Sequence, residues 1–89
     1  MAIGDPFILH TLGGVLTLRI EREKETHDGL MILTGKVLEG IEHYCDGNGI
    51  FLSSRDLTDE TVSAWVTKDD WLRGTNVPQM QPVNRLDRH

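Results

Sequence analysis

The sequence predicts a mainly β protein: a single small antiparallel meander or a bent, barrel-like sheet with at most one or two short helical turns. Two observations predict this class. Apolar and polar residues alternate strictly over residues 15–21, which puts Leu16, Leu18 and Ile20 on one face, as in a strand. Short apolar segments are also separated by Asp-Gly and Asn-Gly pairs, which are typical of hairpin turns.

The first hairpin is predicted from Asp28-Gly29, because this pair favours a two-residue turn in which both residues have positive φ. The predicted cross-strand pairs are Ile20 with Val37, Lys24 with Leu33, Leu16 with Ile41, and Glu21 with Lys36. The resulting core face consists of Leu16, Leu18, Ile20, Met31, Leu33, Val37 and Ile41. A slip of one residue would break this agreement between turn and pattern.

The second strand of the hairpin is expected to continue through Gly40 to Cys45, with glycines marking bends that curl the sheet. Residues 46–49 then form a second turn, and residues 50–53 pair back. Residues 57–66 are open to two interpretations. Their β-branched and aromatic residues favour a strand, whereas an apolar face at helical spacing keeps a short helix possible.

The four residues 67–70 resemble a capping box in which Asp replaces the usual Glu. They predict one short helical turn that ends at Gly74. A compact β-rich domain is therefore expected over residues 1–74, followed by an extended C-terminal tail over residues 75–89. The tail contains two prolines, which disfavour helix in the residues before them, and its apolar residues recur every three positions.

The charge is unevenly distributed along a chain whose net charge is −5. Residues 39–70 hold eight acids and two bases, a balance of −6, whereas residues 71–89 have a balance of +2. An acidic chain argues against direct binding of nucleic acid. A single cysteine excludes an internal disulfide and favours the cytoplasm. The sequence predicts neither a signal peptide nor the roughly 20-residue apolar run of a membrane span.

No motif in the sequence predicts catalysis, a metal or a cofactor. Serine, cysteine and histidine are present without a spacing that links them as nucleophile and base. Asp69 and Asp70 would point about 100° apart on a helix, so they do not form an acid–base pair. His43 and Cys45 share one face of a strand, but structural zinc needs four ligands.

The chain is therefore expected to be a non-catalytic binding protein, an inhibitor or regulator that occupies the basic surface of a partner protein. Inhibitors encoded by phages and mobile elements often have this size and charge, which by analogy makes nucleic-acid-handling machinery the expected target. Trp71 stands beside acidic residues and Arg73, which makes it the best aromatic candidate for partial exposure and for an interface anchor; a plain packing role is the alternative. The predicted partner-binding residues are Asp56, Asp59, Glu60, Asp69, Asp70 and Trp71.

Two alternatives stay open beside the binding protein. A small-ligand or metal-binding domain would use the region around His43, Cys45 and Asp46, where a turn follows the strand. A structural subunit of a larger assembly would also be non-catalytic.

Overall fold

The computed structural model describes residues 2–45, 52–76 and 84–85, and most of these residues belong to strands. The elements are β1 (Pro6–Thr11), β2 (Gly14–Glu25), β3 (Leu30–Cys45), β4 (Leu52–Asp56), β5 (Thr61–Thr67), α1 (Lys68–Arg73) and β6 (Asn84–Arg85). The strands pair antiparallel in the order β1-β2-β3-β5-β6, and β4 also pairs with β3. The predicted mainly β class, with one antiparallel sheet and one short helix, is confirmed; the sheet is not closed into a barrel.

One edge of β3 is shared by two partners. Its C-terminal half pairs with β4 and its N-terminal half with β5, so the strand that was ambiguous in the sequence is β5 and not a helix. The connection between them follows β3: the Leu57 amide donates to the Gly40 carbonyl at 3.0 Å, and the Asp59 amide donates to the Val37 carbonyl at 2.8 Å. The predicted turn at residues 46–49, and residues 50–51 after it, lie outside the described residues.

The hairpin between β2 and β3 forms, but its predicted two-residue turn is wrong. The Thr26 amide donates to the Leu30 carbonyl at 2.8 Å, which leaves a three-residue loop ending at Gly29, with φ 87°. Asp28 does not adopt positive φ, because the Thr26 hydroxyl donates to its carboxylate and accepts from the Leu30 amide. This loop type carries its positive φ at the third residue, where glycine is best tolerated.

All four predicted cross-strand pairs are therefore wrong. The observed pairs are Ile20 with Gly35, Lys24 with Ile32, Leu16 with Gly40, and Arg19 instead of Glu21 with Lys36. Register shifts leave one extra residue on each strand, Glu21 on β2 and Leu38 on β3.

The predicted core face survives because these bulges restore the alternation. Six of its seven residues are buried: Leu16, Leu18, Ile20, Met31, Leu33 and Val37. Ile41 is 48% exposed, because the bulge at Leu38 turns the following residues of β3 to the other face. The close approach of β2 to β3 also requires Gly35, since a Cβ there would lie 2.6 Å from the Arg19 carbonyl oxygen.

Helix α1 has the predicted capping box and ends where predicted. The Thr67 hydroxyl accepts from the Asp70 amide at 3.1 Å, and the Asp70 carboxylate accepts from the Thr67 amide at 3.2 Å. Gly74 closes the helix with φ 81°. The prediction that Trp71 is partly exposed is wrong: it is 5% exposed and stacks on Phe7, with ring centroids 6.5 Å apart.

The chain after α1 returns to β1. The Ile8 amide donates to the Gly74 carbonyl at 2.9 Å, and the Asn76 carboxamide forms two hydrogen bonds with the backbone of His10. Further on, β6 pairs with β5 through two residues. Residues 77–83 and 86–89, which hold most of the predicted tail, lie outside the described residues. None of the described residues form a helix long and apolar enough to cross a membrane.

Candidate protein-binding surface

Four acidic residues come together where β4 ends and the connection to β5 runs beside β3. We call them the acidic edge: Glu39, Asp56, Asp59 and Glu60. The connection is held against β3 by backbone hydrogen bonds, and the Val37 amide donates to the Glu60 carbonyl at 2.8 Å. Glu39, Asp56 and Asp59 are exposed and Glu60 is half-buried. The fold therefore concentrates part of the acidity of residues 39–70 on one edge.

Asp56 is held in one orientation by Thr58. Its carboxylate accepts from the Thr58 hydroxyl at 2.7 Å and from the Thr58 amide at 3.0 Å. The hydroxyl, and after it the amide, lower the pKa of Asp56 below its ordinary value, because both donors stabilise the ionised carboxylate. The acidic edge thus keeps this negative charge under mildly acidic conditions.

The pKa of Asp56 provides a direct test of this geometry. An NMR titration of the protein should give a pKa for Asp56 below the ordinary aspartate value, and Thr58→Val should raise it, because valine removes the hydroxyl and keeps the amide. A lowered pKa in the folded state adds stability above the unfolded pKa, which is lost as the pH falls through the folded pKa. The variant should therefore lose less stability on acidification. Identical titration curves would contradict the assignment.

An open hollow of about 560 Å³ lies next to the acidic edge, on the sheet face opposite the core. Its lining combines Glu39 and Asp56 with His43 and the apolar side chains of Val15 and Ile41. Val15 and Ile41 are each about half exposed, at 51% and 48%. Exposed apolar side chains rimmed by charged groups are typical of protein interaction sites.

The other three predicted binding residues lie elsewhere. Helix α1 follows the end of β5 that pairs with the start of β3, so it is remote along the sheet from the acidic edge. Asp69 is exposed there. Asp70 is 7% exposed and is occupied by the capping box and by an ion pair with Arg73 at 2.5 Å, and Trp71 belongs to the core. The structure thus brings together Asp56, Asp59 and Glu60 and separates them from Asp69, Asp70 and Trp71.

The region considered for a ligand or metal forms an exposed arm of two strands. His43 pairs with Ser54 and Cys45 pairs with Leu52. The pair formed by Tyr44 and Ser53 lies between them. The Arg55 guanidinium lies 5.1 Å from the centre of the Tyr44 ring. Among the described residues, no group of three or more His, Cys, Asp or Glu side chains is placed to hold a metal ion. Asp46 lies outside the described residues.

Sequence reasoning missed Glu39, Val15 and Ile41 as parts of this surface. Glu39 was included in the count of acids, but only the return of the connection along β3 puts it beside Asp59. Val15 lies opposite the core because it alternates with Leu16 on β2, and the bulge at Leu38 puts Ile41 on the same face as Val15. Comparison with models of protein families, with curated protein sequences and with solved structures finds no match for this chain.

Proposed function

We propose that this protein is a non-catalytic binding protein that occupies a basic surface of a partner protein with its acidic edge. The observation that carries the proposal is that two exposed carboxylates, Glu39 and Asp56, line the same hollow as the half-exposed apolar side chains of Val15 and Ile41. Apolar side chains at the centre of an interface supply affinity, and charges at its rim supply attraction and selectivity.

The expected partner surface is basic and has an apolar projection that fills the hollow. Protein surfaces that bind phosphates carry Lys and Arg. Carboxylates of a second protein can pair with the same Lys and Arg in place of the phosphates. This supports an inhibitor or regulator of nucleic-acid-handling machinery, which acts by covering a phosphate-binding surface. The size and charge of the chain support the same interpretation by analogy.

The test begins with the tagged protein as bait in a lysate of the native host, followed by mass spectrometry and binding kinetics with the purified partner. The variant Asp56→Asn, Asp59→Asn, Glu60→Gln should associate more slowly and show a weaker salt dependence between about 50 and 500 mM, because exposed charges act mainly on encounter. Asparagine suits residue 59, whose φ of 73° lies in the left-handed region.

A matched control neutralises three exposed acids away from the acidic edge: Glu21→Gln, Glu23→Gln, Asp69→Asn. Both variants change the net charge equally, so only a local effect separates them. A second substitution, Ile41→Ser, should speed dissociation while leaving the melting temperature nearly unchanged. Equal association rates for the two charge variants would overturn the role of the acidic edge.

A further inference from the structure

Charges of opposite sign alternate along the second half of β2 in the sequence Glu21-Arg22-Glu23-Lys24-Glu25. A strand points successive side chains to opposite faces, so the pairing with β3 sorts them. Arg22 pairs with Thr34 and Lys24 with Ile32, and these partners alternate with buried Leu33. Arg22 and Lys24 therefore lie on the face opposite the core.

Two further bases lie on the same face. Arg19 and Lys36 are directly opposite each other, and Lys36 continues the alternation of Ile32 and Thr34 along β3. All four side chains are exposed. We call this group the basic face: Arg19, Arg22, Lys24 and Lys36.

The basic face is not explained by the stability of the fold. Like charges directly opposite each other in a sheet repel, as Arg19 and Lys36 must. Within the described residues, the ion pairs are formed by Lys68 with Glu25 and by Arg73 with Asp70, and none involves the basic face. Glu39 lies on the same face beside Arg19 and Lys36, but four neighbouring bases outnumber it and create a local positive potential on a chain of negative net charge.

An exposed aromatic side chain lies beside these bases. Trp65 on β5 pairs with Ile32, which in turn pairs with Lys24, so the three side chains form one row across the sheet. Trp65 is 45% exposed, and it lines an open hollow of about 440 Å³ together with Lys24 and Ile32. Glu25 and Asp28 also line this hollow, so the positive charge is concentrated on the side of the hollow formed by Lys24. Strands are about 4.8 Å apart, so the tryptophan and lysine backbones lie about 10 Å apart.

We propose that the basic face and Trp65 bind single-stranded nucleic acid. The basic side chains along β2 pair with successive phosphates. A nucleobase stacks on the Trp65 ring, as in other proteins that bind single-stranded nucleic acid. The aromatic ring favours a nucleic acid over an acidic peptide, because a nucleobase stacks on the indole face, whereas the negative face of the ring does not attract a carboxylate. The net charge argues against nucleic acid as an average over the chain, whereas the four bases are neighbours on β2 and β3 and set the local potential there.

The experiment titrates a fluorescein-labelled oligothymidylate of roughly 12 nucleotides with the full chain at low salt, followed by fluorescence anisotropy. We expect saturable binding with a slope of log K against log salt near −2 to −3, as for about three or four phosphate contacts. Arg22→Ala with Lys24→Ala should weaken binding about tenfold or more. Trp65→Ala should weaken it about fivefold or more, whereas Trp65→Phe should retain most of it.

Arg55→Ala is the matched control, because Arg55 is a base on β4, which pairs with the opposite end of β3 from the residues that pair with Trp65 and Lys24. It should change the affinity less than twofold, and melting temperatures check that each variant is folded. Absence of saturable binding, or equal weakening by Arg55→Ala, would overturn the proposal. Binding of a polyglutamate peptide with higher affinity than the oligonucleotide, and unchanged by Trp65→Ala, would replace the nucleic acid with an acidic protein segment.

The two proposals fail separately. The variant Asp56→Asn, Asp59→Asn, Glu60→Gln should keep or tighten oligonucleotide binding, since it removes negative charge and leaves the basic face intact. A weaker affinity in that variant would overturn the assignment of nucleic acid to the basic face without bearing on the partner protein of the acidic edge.

Discussion

Trp71→Ala is expected to lower the free energy of unfolding by about 3 to 5 kcal/mol, because it removes a large buried side chain and leaves a cavity. Trp71 is 5% exposed and stacks on Phe7 at an interplanar angle of 28°. It fixes α1 against β1, so its loss should also loosen the chain that follows the helix. Such a loss is a large fraction of the total stability of a small domain.

Trp65→Ala provides the matched comparison, since the same residue type lies on the exposed face of β5. Its cost should be under about 1.5 kcal/mol, because little apolar surface leaves the core. Urea unfolding, followed by far-UV circular dichroism, measures both variants. An equal loss of stability in the two variants would contradict the placement of Trp71 in the core.

This pair of tryptophans shows why exposure was difficult to predict from sequence neighbours. Trp71 follows two acids and lies two residues before Arg73, and such charged neighbours suggest a solvent-exposed position. On a helix, however, successive residues point about 100° apart, so exposed Asp69 and buried Trp71 can be two positions apart. Asp70 is itself directed inward because the capping box needs its carboxylate at the Thr67 amide.

Local signals in the sequence predicted the elements that depend on a few adjacent residues. The capping box and Gly74 define α1, and strict alternation identifies the buried side of β2. The register of the first hairpin was wrong because a side chain outside the Asp-Gly pair, Thr26, decides the loop type. The core face was nevertheless correct up to Val37, since two bulges compensate for the shift.

The candidate surface depends on contacts between distant parts of the chain, which single-sequence patterns do not contain. A charge count identified the acidic third of the chain, but the fold places four of its acids at the acidic edge and two on α1. The return of the connection before β5 to Gly40 and Val37 creates the acidic edge. The basic face was missed because Arg22 and Lys24 alternate with acids in the sequence and are separated from them only by the strand.

A second large effect on stability is expected at Asn76, whose side chain substitutes for a strand beside β1. Its carboxamide oxygen accepts from the His10 amide at 2.6 Å, and its nitrogen donates to the His10 carbonyl at 2.9 Å. Asn76 is 1% exposed, so water does not replace these bonds easily. Asn76→Ala leaves one backbone donor and one acceptor without partners, which should cost about 2 to 5 kcal/mol.

Asn76→Asp tests the two hydrogen bonds separately, because the protonation of the new carboxyl group depends on pH. The ionised carboxylate can still accept from the His10 amide, but it faces the His10 carbonyl without a proton to donate. Burial raises the pKa of the new carboxyl group in the folded state, so the variant gains stability relative to the original protein as the pH falls through that raised pKa. Asn76→Ala has no such group, and its deficit should be independent of pH. Urea midpoints of the three proteins between about pH 4 and pH 8 measure the difference in stability. If the loss of stability in Asn76→Asp does not shrink on acidification, the carboxamide does not bridge both backbone groups of His10.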